Sequence, residues 1–194
     1  MRGKTMITSV LLSAALGIQF ASIQARPAYA AGFPQSQPKQ VSKGLIKEIR
    51  HELVTLPYYG LFDWLEGEVR PDGTLVLRGE VVRASTRKDA ESRVKDIEGI
   101  ENVVNEIEVL PLSPSDDRIR AATYRALFSG SSPLFRYATR AVPPIHIIVK
   151  SGRVALKGVV ATQQESQIAF MKARSVSGVF EVKNELRVEN ESSN

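Results

Sequence analysis

The stretch "GTLVLRGEVV" at residues 73–82 returns 79 residues later as "GRVALKGVVA" at 152–161, and this internal repeat constrains the fold more than any other feature. The offset holds from Gly73/Gly152 to Val109/Val188, and ten of those 37 pairs are identical, among them Gly79/Gly158, Gly99/Gly178 and Asn105/Asn184. Other pairs are conservative in character, such as Arg78/Lys157 and Ile107/Leu186. A glycine-punctuated pattern spelled twice at one offset marks a duplicated small module, not one continuous fold.

Each copy reads as helix, strand, strand, helix, strand. In the first, Leu45, Ile46, Ile49 and Leu53 recur at helical spacing, and Leu65, Gly67 and Val69 then alternate. "RPDGT" turns the chain at Asp-Gly, and Leu75, Leu77, Gly79 and Val81 form the returning strand. Ser85 is expected to cap a helix with Ala90, Val94 and Ile97 inside and Gly99 at its end. Val103, Asn105, Ile107 and Val109 alternate as the last strand.

The second copy repeats this with Ile119, Ala122 and Ala126, then Ile145, Ile147 and Val149, and a two-residue hairpin loop in "KSGR". Val154, Leu156 and Val160 follow, then Ala169, Ala173 and Val176, then Gly178, and finally Val182, Leu186 and Val188. The expected fold class is therefore α+β, with two tandem small αββαβ modules, each a three-stranded sheet with two helices packed on one face. A module of about seventy residues has a marginal core, which favours docking of the copies on one another.

The boundaries follow from composition. Residues 1–30 read as a signal peptide, with Arg2 and Lys4 ahead of an apolar run and Ala28-Tyr29-Ala30 as a small-x-small site, so cleavage is expected after Ala30; the alternative is that the apolar run, which approaches bilayer-spanning length, is kept as an anchor. No later segment is long and apolar enough for an integral span. Residues 31–43 are a Pro/Gln/Ser-rich flexible leader, 44–112 the first module, 113–117 a linker, 118–190 the second module and 191–194 a tail. The chain has no Cys, so disulfides, thiolate metal sites, Cys nucleophiles and a lipoprotein anchor are excluded together.

Two motifs carry a resemblance. Gly73 to Gly79 with Ile97-Glu98-Gly99-Ile100 and Val103-Val104-Asn105-Glu106-Ile107, and Gly152 to Gly158 with Val176-Ser177-Gly178-Val179 and Val182-Lys183-Asn184-Glu185-Leu186, look like the BON domain. The chain resembles the exported, periplasmic two-domain members of that family, which includes osmotically inducible proteins. The resemblance implies an α+β fold and a role in binding phospholipid or other envelope surfaces. It offers no catalytic residues to carry over.

The residues themselves nominate no enzyme. No Gly-rich phosphate loop is present, and no nucleophile–base–acid set can be assembled. His51 and His146 stand in different copies at non-corresponding positions and have no metal-ligand spacing around them, so neither a metal nor a cofactor is expected. Gly79 and Gly158 are expected to make room for a packed helix or to sit at a bulge, and Asn105 and Asn184 to hydrogen-bond locally at a strand.

Charge separates the copies. Residues 44–112 hold nine Lys/Arg and fourteen Asp/Glu, a net of −5, whereas 113–194 hold twelve and seven, a net of +5. The split can serve docking of the halves on each other, or it can turn the second copy toward an anionic surface. Two clusters suit a lipid surface: "PLFRYATR" with Phe135, Arg136, Tyr137 and Arg140, and the run Phe170, Lys172, Arg174. Arg118, Arg120 and Arg125 join them as candidate lipid-binding residues. Both clusters also suit a core or an interdomain seam. The expected function is peripheral binding of an exported, periplasmic protein to an anionic phospholipid surface through its second domain. The competing expectation is a soluble periplasmic stress or chaperone-like module that binds another envelope protein. Nucleic acid fits the basic half but not export.

Overall fold

The computed structural model describes residues 42–189. The signal segment at 1–30, the leader up to residue 41 and the tail at 191–194 lie outside the described residues. In the first module, α1 (Lys43–Val54) begins where the Ser42 hydroxyl accepts the Leu45 amide proton at 3.1 Å, and it leads to β1 (Trp64–Val69), β2 (Thr74–Val81), α2 (Ala84–Lys95), β3 (Asn102–Asn105) and β4 (Glu108–Val109). The second module runs α3 (Pro114–Leu127), α4 (Phe135–Ala138), β5 (Ile145–Lys150), β6 (Arg153–Val160), α5 (Gln163–Arg174) and β7 (Glu181–Val188).

In both sheets an antiparallel hairpin takes its last strand in parallel. β2 pairs β1 antiparallel and β3 in parallel, and β6 does the same with β5 and β7. The αββαβ order is thus as the repeat implies, with two additions. The last strand of the first sheet breaks at Glu106 and resumes as β4, also paired to β2, giving four strands in place of three. The second module gains the one-turn helix α4.

Three local expectations are corrected. Residues 113–117 are not a linker: Ser113 caps α3 by accepting from the Asp116 amide, and Pro114 stands in the first turn, where a missing N–H costs nothing. Ser85 is not the cap of α2, which starts at Ala84 behind Arg83 with no side-chain cap bond. Ile46 lies outside the inner face of α1, 54% exposed, because Ile49 and Leu53 already cover the sheet.

Each module encloses its own core. Leu75, Leu77 and Val81 of β2 pack with Ile49, Leu53, Ala90 and Val94 in the first. Ile145, Ile147, Val149, Leu156 and Val160 pack with Ile119, Leu127, Ala169 and Ala173 in the second. Val76 and Ile148 are equally buried, at 0% and 4% exposure, yet belong to neither core. By strand alternation they stand on the helix-free faces of the two sheets. The pairs Glu80–Lys157, at 3.5 Å, and Glu108–Lys150 join the same two faces. The modules therefore meet sheet to sheet, with acids of the first opposite lysines of the second.

The repeated residues do repeated structural work. Gly79 and Gly158 have φ of +127° and +121°, and a methyl group on either would overlap the carbonyl oxygen of Trp64 or Pro144 on the neighbouring strand. The room they make is for strand backbone, not for a helix. Asn105 and Asn184 each tie the last strand to the preceding helix. Their amides donate to the Arg87 and Ser166 carbonyls, at 3.1 and 3.2 Å, and their side-chain oxygens accept from the Ile107 and Leu186 amides. Gly73 and Gly152 turn the hairpins with φ of +82° and +74°, and Ser151 at +52° makes the second loop the two-residue form the sequence predicts. Gly99 and Gly178 end the helical segments at φ +98° and +88°, against Leu45 and Ile119.

Candidate interaction surfaces

The segment between α1 and β1, "PYYGLFD" at 57–63, is the strap that holds the modules together. Leu61 and Phe62 pack against the core of the second module, and the Leu61 carbonyl accepts the Ile147 amide proton at 2.8 Å on the outer edge of β5. Asp63, 4% exposed, anchors the strap by accepting from the Gly60 and Val82 amides at 3.0 and 2.7 Å. Burial raises its carboxyl above the usual range, and the two amides and the Arg83 and Arg120 charges oppose that rise.

His146, on the helix-free face of β5, is 4% exposed at the same seam. Its Nδ1 lies 3.2 Å from the Gly60 carbonyl, and its ring meets Tyr59 and Trp64 at centroid separations of 5.5 and 5.1 Å. Burial pushes its pKa below the ordinary 6.5, against the nearby carbonyls, which favour the charged ring. The unfolded chain then takes up a proton at a pH where the folded chain does not. Stability from this ring is fully present above about pH 6.5 and is lost as pH falls toward the depressed folded value. The urea midpoint should decline from about pH 7 to about pH 5, and His146→Phe should flatten that part of the curve. An unchanged slope in the variant would contradict the assignment.

The ten candidate lipid-binding residues divide by environment. Arg120 is 4% exposed; its guanidinium donates to Asp117 and, at 2.7 Å, to the Val149 carbonyl, so it braces α3 against β5. Tyr137 is also 4% exposed. Its hydroxyl donates to Glu165 at 2.8 Å and accepts from the Ala161 amide at 3.0 Å, which fastens α4 to the start of α5. Neither presents its polar group to a surface. The alternation of aromatic and basic residues in "PLFRYATR" suits either environment, and the one-turn helix decides which side chain goes inward.

Arg136 pairs with Glu165 and stays half exposed, with its pKa raised first by its bond to the Tyr137 hydroxyl. Arg140 lies over the Tyr137 ring, 5.7 Å from its centroid. Arg118, Arg125, Phe135 and Arg174 are exposed, and Phe170 and Lys172 half-buried. Arg118, Arg125 and Arg174 have no ion-pair partner among the described residues. Met171 and Phe180, 60% and 86% exposed, are apolar surface residues that sequence reasoning did not nominate as site residues. The 79-residue offset could have found Phe180, which takes the place of Glu101.

Among the described residues no group of three or more His, Cys, Asp or Glu could hold a metal ion, and no helix is long and apolar enough to cross a membrane. The family model for the BON domain matches the chain twice, over residues 65–111 and 115–190. None of the curated proteins compared with the chain matches it. Among solved structures it is similar to CdsD, a structural protein of the type III secretion system of Chlamydia trachomatis. The identity is 13%, over 77% of this chain and 95% of that one, with a TM-score of 0.29. The C-terminal domain of the same protein is 12% identical, over 76% and 98%, with a TM-score of 0.28.

Proposed function

Because the chain belongs to the BON domain family, with two domains in tandem, we propose that it is an exported, non-enzymatic protein that binds anionic phospholipid surfaces peripherally through its second domain. BON domains are typically non-catalytic binding domains associated with phospholipid, and proteins that carry them are often periplasmic. The signal-like segment at 1–30 supports export.

The observation that carries the reading is the fate of the basic charge. Lys150 and Lys157 are engaged by acids of the first domain, whereas Arg118, Arg125 and Arg174 are exposed with no ion-pair partner among the described residues, on the same domain as exposed Phe135, Met171 and Phe180. Guanidinium groups suit lipid phosphates, and aromatic rings suit the headgroup level. Arg120 and Tyr137, both buried, are not part of this surface.

Each basic residue near an anionic leaflet contributes about 1 kcal/mol, so the binding is weak and reversible. Full-length protein should co-sediment with anionic but not zwitterionic vesicles and be released at high salt, where screening shortens to about 3 Å at 1 M. Arg125→Glu/Arg174→Glu should weaken partitioning at least roughly tenfold, since two such contacts are lost and two repulsions added. Equal binding to both vesicle types, or binding indifferent to the double variant, would overturn the proposal.

A further inference from the structure

β1 and β5 are equivalent strands, with Leu65 opposite Gly79 as Ile145 is opposite Gly158. Their outer edges differ. The Arg70 amide donates to the Thr74 carbonyl at 2.8 Å, so by antiparallel alternation even-numbered residues of β1 bond to β2, and Leu65, Gly67 and Val69 turn their N–H and C=O groups outward. On β5 the corresponding groups are taken. The Ile147 amide donates to Leu61 of the strap, and the Val149 carbonyl accepts from Arg120. On β1 the Leu65 amide lies beside the Tyr59 phenol, while exposed Gly67 and half-buried Val69 border a groove of about 950 Å³ between the two modules.

The groove has apolar walls, with Ile46 at 54% and Val142 at 43% exposure, and arginine at its rim. Its two acids are already engaged, Glu68 by Arg78 at 2.7 Å and Glu66 by the Trp64 indole N–H at 2.7 Å. Arg50 and Arg187 have no ion-pair partner among the described residues.

We propose that the outer edge of β1 captures an extended segment of another polypeptide, apolar with flanking carboxylates, which adds to the first sheet by main-chain hydrogen bonds to Gly67 and Val69. The molecule contains the precedent. The strap segment "GLFD", two apolar residues followed by an acid, occupies the equivalent edge of β5. Strand addition supplies affinity through the backbone, while pockets and charge select the sequence. A side chain at Gly67 would point toward Ile49 and Leu75 of the core and not toward the incoming strand.

Trp64, the single tryptophan, lines the groove and reports occupancy. Full-length protein is titrated with a capped peptide carrying GLFD between glutamates and with its lysine-flanked counterpart. The expected result is a saturable change in Trp64 emission, at least tenfold tighter for the glutamate peptide, with slowed amide exchange at Gly67 and Val69. Gly67→Pro, which deletes an outward N–H where proline is tolerated, should abolish it. Arg50→Glu/Arg187→Glu should invert the peptide preference, and it tests the site even if the proline variant folds poorly. Absence of a saturable change with either peptide would overturn the proposal. So would protection confined to other strands, or occupancy by anionic lipid but not by peptide.

Discussion

Gly158→Ala should destabilise the protein through its second module by roughly 3 kcal/mol or more, a shift read directly as a lowered urea midpoint near room temperature. Two penalties coincide at this position. A φ of +121° is unfavourable for any residue with a Cβ, and the methyl group would overlap the Pro144 carbonyl, whose bond to the Val159 amide, at 2.8 Å, holds the start of β5 to β6. The atom in the way is backbone, so relief requires separating the strands. Gly79→Ala should do the same to the first module through the Trp64 carbonyl. Gly130→Ala is the control. Nothing lies within 4 Å of the added methyl group there, and the midpoint should move by no more than about 0.5 kcal/mol. If Gly158→Ala unfolds at the parent midpoint, the strand approach is not obligatory.

The second large effect is expected at Asp63. Asp63→Ala removes the acceptor for two part-buried amides, Gly60 and Val82, at up to roughly 1–3 kcal/mol for each orphaned donor. The loss falls on the strap, so its consequence is undocking as well as destabilisation. Leu61 and Phe62 leave the second core, and the Ile147 amide loses its acceptor. Calorimetry should resolve one transition into two. Asp63→Asn keeps one acceptor oxygen and should lose roughly half as much. A single unshifted transition in the alanine variant would show that the sheet-to-sheet contact holds the modules without the strap.

The strap also shows where sequence reasoning stops. Gly79, Gly158, Asn105 and Asn184 stand out in the sequence because duplication prints each position twice, but their partners, the Trp64 and Pro144 carbonyls for the glycines and the Arg87 and Ser166 carbonyls for the asparagines, are set by the fold. Arg120 and Tyr137 do not stand out. Each belongs to a type common on basic surfaces, and what draws them inward is a partner distant in sequence, the Val149 carbonyl for one and Glu165 for the other. His146 alternates away from the core row as its strand predicts. It is nevertheless buried, because a second sheet covers that face.

Sequence alone determined that there are two modules, their αββαβ order, the hairpin geometry and the opposed charges, since these rest on periodicity, on residues able to adopt positive φ and on composition. Tertiary structure decided what covers the helix-free face of each sheet and which strand edge is capped. It also decided which of the second domain's cations remain free. Those properties depend on contacts between residues far apart in the chain, where one carbonyl at Leu61 or one carboxylate at Glu80 assigns a strand edge or a lysine to the interior, and no local pattern encodes that choice.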